Sequence, residues 1–232
     1  MKKYIRKITL GCASALLAGT AGLATAAPLE SVLGLDVHNP GAFLSALEKF
    51  YRTNDSQSRK VTIWSVAFGG ETDTSHLAVA TYDGYEDYQN STDRLNASSA
   101  WGQFVGSLDD VLDVKSRVMA VERFREGSGW RDHGASTAFV MAISDPGAYA
   151  SAFEEFVDAT DNPGSVRLVE LRFGGQGATH AVVISAEDTV ALNEYLDDLL
   201  SSDEYRRFVG KVGDIRTILN VSMYNRVASF GN

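Results

Sequence analysis

The chain is nearly free of cysteine. It has one, Cys12, in 232 residues, and that one falls in an N-terminal stretch with the marks of a secretory leader. Lys2, Lys3, Arg6 and Lys7 form a basic opening, an apolar segment runs from Ile8 to Leu23, and Ala24-Thr25-Ala26 supplies the small residues of a cleavage site. Residues 1–26 are therefore read as a signal peptide and the protein as periplasmic or secreted. A membrane anchor is disfavoured because Gly11, Gly19 and Gly22 interrupt a run already shorter than a span needs. A lipid attached at Cys12 is disfavoured because the apolar segment continues past it. The chain after the leader has no cysteine, which excludes disulfides, a thiolate nucleophile and Cys-ligated zinc or iron–sulfur centres.

Positive charge is also scarce. The leader removes four basic residues, so of 21 only 17 remain against 30 Asp and Glu, a formal charge of −13. Such a surface repels nucleic acid and anionic lipid, and neither is expected as a partner. No Gly-x-Ser-x-Gly elbow, His-Glu-x-x-His helix, Walker loop or dinucleotide fingerprint occurs.

The chain does contain one unit written twice. Phe68-Gly69-Gly70 and His76 return as Phe173-Gly174-Gly175 and His180, Asn39-Pro40-Gly41 returns as Asp145-Pro146-Gly147, and Phe104-Val105-Gly106 as Phe208-Val209-Gly210. The spacing shrinks by one residue in the loop after the first helix and by one in the Gly-Gly hairpin, where loops tolerate deletion. Each copy opens with a strand, Val32–Val37 or Ala138–Ile143, whose alternate residues Leu33, Leu35 and Val37 or Phe139, Met141 and Ile143 form a core face. A helix comes next, with Asn39 or Asp145 as N-cap and Pro at the first helical position. Its stripe Phe43, Ala46, Leu47, Phe50 or Tyr149, Ala152, Phe153, Phe156 is core.

The second strand covers Val61–Phe68 or Val166–Phe173, and its Trp64, Val66, Phe68 and Val169, Leu171, Phe173 face is expected against the helices. A glycine hairpin leads to a third strand, Ser75–Tyr82 or Thr179–Ala186. Then come a second helix, a short helix capped by Ser98 or Ser202, and a last strand near Lys115–Phe124 or Thr217–Val227. The division predicted is a first repeat over 27–126, a linker over 127–136 rich in Gly, Ser and charge, and a second repeat over 137–232.

Two tandem βαββαβ repeats make an α+β protein of ferredoxin-like units. Their element order, Gly-Gly hairpin and short helix around Trp101 or Tyr205 resemble the dimeric α+β barrel superfamily. The resemblance implies two four-stranded sheets in order 4-1-3-2 with helices outside. Here the second copy would stand in for the usual partner chain, giving a monomeric intrachain pseudo-dimer. It also implies a cavity between the sheets, and it does not choose a family.

Residues expected to face that cavity are Asp36, His38, Ser65 and Arg117 in the first copy and Glu170, Arg172, Asn220, Ser222 and Tyr224 in the second. A one-residue slip of register would turn any of these strands over. An ordinary rim ion pair also explains Glu170 and Arg172. His76 and His180 could hold a metal or haem, as related folds do, but neither has a second ligand at ligand spacing. Closing the hairpin by a hydrogen bond is the reading preferred for both, and no cofactor is expected. The functional expectation is a module binding a small, partly apolar ligand. The resemblance adds a cofactor-independent monooxygenase as one alternative, whose sites use Asn, Trp, His or Tyr. A structural role using strand two as an exposed edge is the other.

Overall fold

The computed structural model describes residues 27–56, 59–70, 72–162 and 164–231. The expected leader, Cys12 included, lies outside them. The first repeat contains β1 (Leu29–Val37), α1 (Pro40–Tyr51), β2 (Lys60–Phe68), β3 (His76–Tyr82), α2 (Tyr85–Ala97), α3 (Ser99–Gly106) and β4 (Leu112–Gly127). The second contains β5 (Ala135–Ile143), α4 (Pro146–Asp158), β6 (Ser165–Phe173), β7 (His180–Ala186), α5 (Thr189–Ser201), α6 (Asp203–Val212) and β8 (Arg216–Phe230). No helix of the described residues is long and apolar enough to cross a membrane.

Capping explains where the helices start. Asn39 Oδ1 accepts from the Ala42 amide at 3.1 Å and Asp145 Oδ1 from the Ala148 amide at 3.0 Å. Ser98 and Ser202 cap α3 and α6 through the amides of Trp101 and Tyr205, each at 3.0 Å. The helices cover two separate cores. Leu35, Phe43, Leu47, Val61 and Ile63 pack in the first, and Met141, Tyr149, Phe153, Val166 and Leu168 in the second.

The eight strands form one closed barrel in the order β1-β3-β2-β8-β5-β7-β6-β4, every neighbour antiparallel. Each half keeps the 4-1-3-2 order. The halves do more than face one another, because β2 pairs with β8 and β4 with β6. This lengthens the last strands beyond the ranges expected from sequence. β4 pairs with β1 through residues 112–121 and with β6 through 119–127, and β8 serves β5 and β2 in the same way. The open edge expected at strand two does not exist, since β8 covers it, and the edge-pairing role loses its basis. The alternating directions bring both glycine hairpins to one end of the barrel and the 128–134 linker to the other. At the hairpin end Gly174 has φ +79 and runs so close to β4 that a Cβ would lie 2.1 Å from the Arg117 carbonyl oxygen.

One face assignment is reversed. Trp64, Val169 and Leu171 point into the barrel, while Val61, Ile63, Val166 and Leu168 lie against the helices. Phe68 and Phe173 end their strands at the rim, 74% and 68% exposed. Strands buried on both faces carry apolar residues at both parities, so alternation loses its sign.

A half cut from this barrel would expose two strand edges and an apolar inner face. At ~25 cal/mol per Å², even about 500 Å² left wet costs about 12 kcal/mol, comparable to the whole stability of a domain at roughly 5–15 kcal/mol. Residues 27–128 and 134–232 expressed alone are expected to be insoluble or to homodimerise, and to give a folded heterodimer when mixed. Light scattering and NMR check this, and a well-dispersed monomeric half would contradict it.

Candidate functional site

The barrel encloses a cavity of about 390 Å³. Most of its wall is apolar: Val32, Leu77, Val79, Val118, Ala138, Val140, Val169 and Val183 come from six different strands. The linker supplies the aromatic floor. Trp130, 4% exposed, reaches into the barrel and stacks on Trp64 with ring centroids 6.5 Å apart and planes 14° from parallel. Val79, Val32, Leu77 and Tyr224 pack against the two indoles.

Beside the indoles sits a buried charge cluster that joins the halves. The guanidinium of Arg167, on β6, lies 4.0 Å from the Trp130 ring centroid. Its Nη1 donates to Glu30 Oε1 on β1 at 2.5 Å and to Glu122 Oε2 on β4 at 3.4 Å. Glu122 also accepts from Arg125 Nη2 at 2.6 Å. Arg167 is 3% exposed and its Nε is buried without a hydrogen-bond partner. Two guanidiniums face two carboxylates, so the cluster is neutral as a whole.

Toward the hairpin end the polar groups that line the cavity carry no charge. Asn220 Nδ2 donates to Ser222 Oγ at 2.9 Å, and the Tyr224 phenol lies near the same serine. Burial pushes the Tyr224 phenol up from its ordinary value, so at neutral pH it offers a proton and not a negative charge.

The residues expected at the cavity divide three ways. Asn220 and Tyr224 line it, and Ser222 is buried between them. Asp36 and His38 stand at the rim in a charged group, where His38 Nε2 is 3.6 Å from Asp36 and 3.7 Å from Asp113. These three side chains are close enough to share an ion. Lys115 Nζ already sits 3.5 Å from Asp36 and 3.4 Å from Asp113, the place a cation would take.

Ser65, Glu170 and Arg172 are corrected to positions outside the cavity, as the reversed face of β2 and β6 requires, and so is Arg117, because β4 turns Ser116, Val118 and Ala120 inward and the residue between them outward. Ser65 Oγ donates to the Asn225 carbonyl at 3.3 Å. Glu170 accepts from Arg123 Nε at 2.6 Å and pairs with Arg172 at 2.9 Å, an ordinary rim ion pair. Arg117 borders a second hollow, outside the barrel.

His76 and His180 stand on the outer faces of different halves and share no cavity. The Nδ1 of each is hydrogen-bonded to the preceding hydroxyl, Ser75 Oγ at 3.0 Å or Thr179 Oγ1 at 2.9 Å. The same hydroxyls accept from the amides of Val37 and Ile143, tying the hairpin end to the first strand of each half. Burial lowers the pKa of both imidazoles.

Arg167, Glu30 and Trp130 went unnoticed in the sequence. A lone tryptophan in a stretch of Gly, Ser and charge was the one available signal, since a solvated linker has little use for an indole.

The second hollow, about 340 Å³, lies between the helices and the outer sheet face of the first repeat, lined by Leu33, Leu47, Ala78, Trp101 and Arg59 among others. The matching place in the second repeat is only about 40 Å³. Phe139, Phe153 and Val182 stand there in place of Leu33, Leu47 and Ala78 and fill it. In the first repeat Arg59 lies over Trp101 at 5.3 Å, and burial pushes the neighbouring Tyr51 phenol up to about 12.

No family model matches the chain, and no curated protein matches its sequence. Solved structures match its shape. A proposed monooxygenase from Fusobacterium nucleatum subsp. nucleatum is 13% identical with a TM-score of 0.61, over 89% of this chain and 95% of that one. A proposed monooxygenase from Lactobacillus acidophilus is 8% identical at 0.59, over 88% and 96%. A chlorite dismutase variant from Candidatus Nitrospira defluvii is 12% identical at 0.53, over 87% and 91%. At these identities the likeness is one of fold.

Arg167→Met leaves Glu30 buried without its partner and should destabilise the protein by about 3–5 kcal/mol. Adding Glu30→Leu should recover most of that loss, because an apolar pair of similar volume needs no counter-charge. Urea unfolding of the single and double variants measures both, and a double variant no more stable than the single would show that the pair is not the coupled unit.

Proposed function

The chain having the fold of the dimeric α+β barrel superfamily in tandem, we propose that it binds a small, partly apolar organic molecule inside the barrel. The observation that carries this is the cavity itself. It is about 390 Å³, apolar over most of its wall, and set with a few placed polar groups, the pattern of a ligand pocket. Export to the periplasm or beyond belongs to the same reading. It rests on the composition of residues 1–26. A monomeric state also belongs to it, supported by a second copy that completes the barrel without another chain.

Native mass spectrometry of protein purified from its own host should show a bound mass that denaturation releases. Ala181→Trp, which fills the cavity from β7, should abolish it. A ligand mass that persists in that variant would place the binding elsewhere.

One arrangement favours an enzymatic second reading. Trp64 points inward, so Trp64, Asn220 and Tyr224 line a single cavity, and two of the solved structures of like shape are of proposed monooxygenases. In this reading the Tyr224 phenol and Asn220 amide hold an oxygen of an aromatic substrate while dioxygen oxidises it without a cofactor. Oxygen uptake with a panel of quinols should then fall about a hundredfold in Asn220→Ala and Tyr224→Phe, the usual loss of a positioned acid–base group. Uptake unchanged in those two but lost in Leu47→Phe, which narrows the outer hollow as the second repeat does, would move the chemistry out of the barrel.

A further inference from the structure

We infer that the barrel cavity selects an uncharged, flat aromatic molecule and discriminates against anions and cations alike. This rests on the reading that the barrel is the binding site, and it names the ligand class.

Among the described residues lining the cavity only Glu30 and Arg167 carry charge, and they are bonded to each other at 2.5 Å. Glu122 and Arg125 extend the cluster with one further charge of each sign. The other polar lining groups are neutral: Ser116, Ser136, Gln176, Asn220 and Tyr224. Burial keeps the one titratable group among them, the Tyr224 phenol, in its neutral form.

A carboxylate or ammonium entering this space would exchange water for an apolar wall and meet no free counter-charge. The donor left open in the cluster, Arg167 Nε, belongs to a guanidinium whose charge Glu30 and Glu122 already balance, so an anion gains a full counter-charge only by breaking the Glu30–Arg167 pair and leaving another buried charge alone. A neutral molecule meets neither cost. Flatness follows from the two near-parallel indoles, which together with Tyr224 line the same cavity. The neutral amide and phenol of Asn220 and Tyr224 are placed to bond a hydroxyl or carbonyl.

The charge balance also predicts how selectivity can be switched. Glu30→Gln leaves the cluster with one excess positive charge and should favour an anion. Asn220→Asp, at an exposed position near the mouth and of unchanged shape, adds a negative charge and should favour a cation.

Calorimetric titration of the full chain with 2-naphthol, 2-naphthoate and 2-naphthylmethylammonium tests this. Wild type should bind naphthol at least about tenfold more tightly than either ion, a gap of about 1.4 kcal/mol, and Ala181→Trp should lose it. Glu30→Gln should move the preference toward naphthoate and Asn220→Asp toward the ammonium. The second variant keeps the test open if the first fails to fold. Equal binding of all three probes, lost in Ala181→Trp, would overturn the neutral-ligand inference and leave barrel binding standing. No binding of any probe, or binding indifferent to Ala181→Trp, would overturn the barrel reading itself.

Discussion

Each half of this chain ends in an edge strand that its own residues cannot satisfy. β2 and β6 have one side bonded within their half, and an unpaired row of backbone donors and acceptors in an apolar setting is costly. The solution is reciprocal, since the far portion of β8 covers β2 and the far portion of β4 covers β6. The barrel, its cavity and the inseparability of the halves all derive from that exchange. It also gives a physical reason for the length of β4 and β8: each must serve two neighbours in succession.

Closure creates an interior, and duplication then allowed its two sides to differ. Glu30 faces the cavity where the second copy has Ser136, Trp64 where it has Val169, and Tyr224 stands where the first copy has Ala120. The outer cores diverged as well, with three larger side chains filling in the second repeat a space left hollow in the first. One unit used twice thus yields two unlike hollows, one shared between the halves and one private to the first.

Helices were legible in the sequence because their signals are local. A cap residue, a proline and an aromatic stripe lie within one or two turns, and Asn39, Asp145, Ser98 and Ser202 cap as expected. The strand order was legible through the repeat. The facing of β2 and β6 was not, because Val61 and Ile63 compete with Trp64 and Val66 for the same core, and size alone favours the aromatic. From that error came Ser65, Glu170 and Arg172. Asn220, Ser222 and Tyr224 came out inward because on β8 the polar residues themselves marked the parity. Nothing local in the sequence marks Arg167, a single arginine between apolar residues of a strand. Its partners are 137 and 45 residues away, a separation that only the folded barrel closes.

The charge cluster is itself a consequence of having both copies in one chain. The alternating strand directions set the pseudo-twofold along the barrel axis, so a symmetric dimer of either half would send the same side chain into the cavity twice. Two copies of Arg167 would bring two guanidiniums toward one axis, and two copies of Glu30 would bring two carboxylates. In the fused chain the position matching Arg167 is Thr62, fully buried and bonded by Arg131 Nε from the linker at 3.1 Å. The linker that breaks the symmetry in sequence also breaks it in space, since Trp130 covers the one arginine and Arg131 holds the one threonine. A neutral cluster made of single, unlike members is available to a fused barrel and closed to a symmetric one.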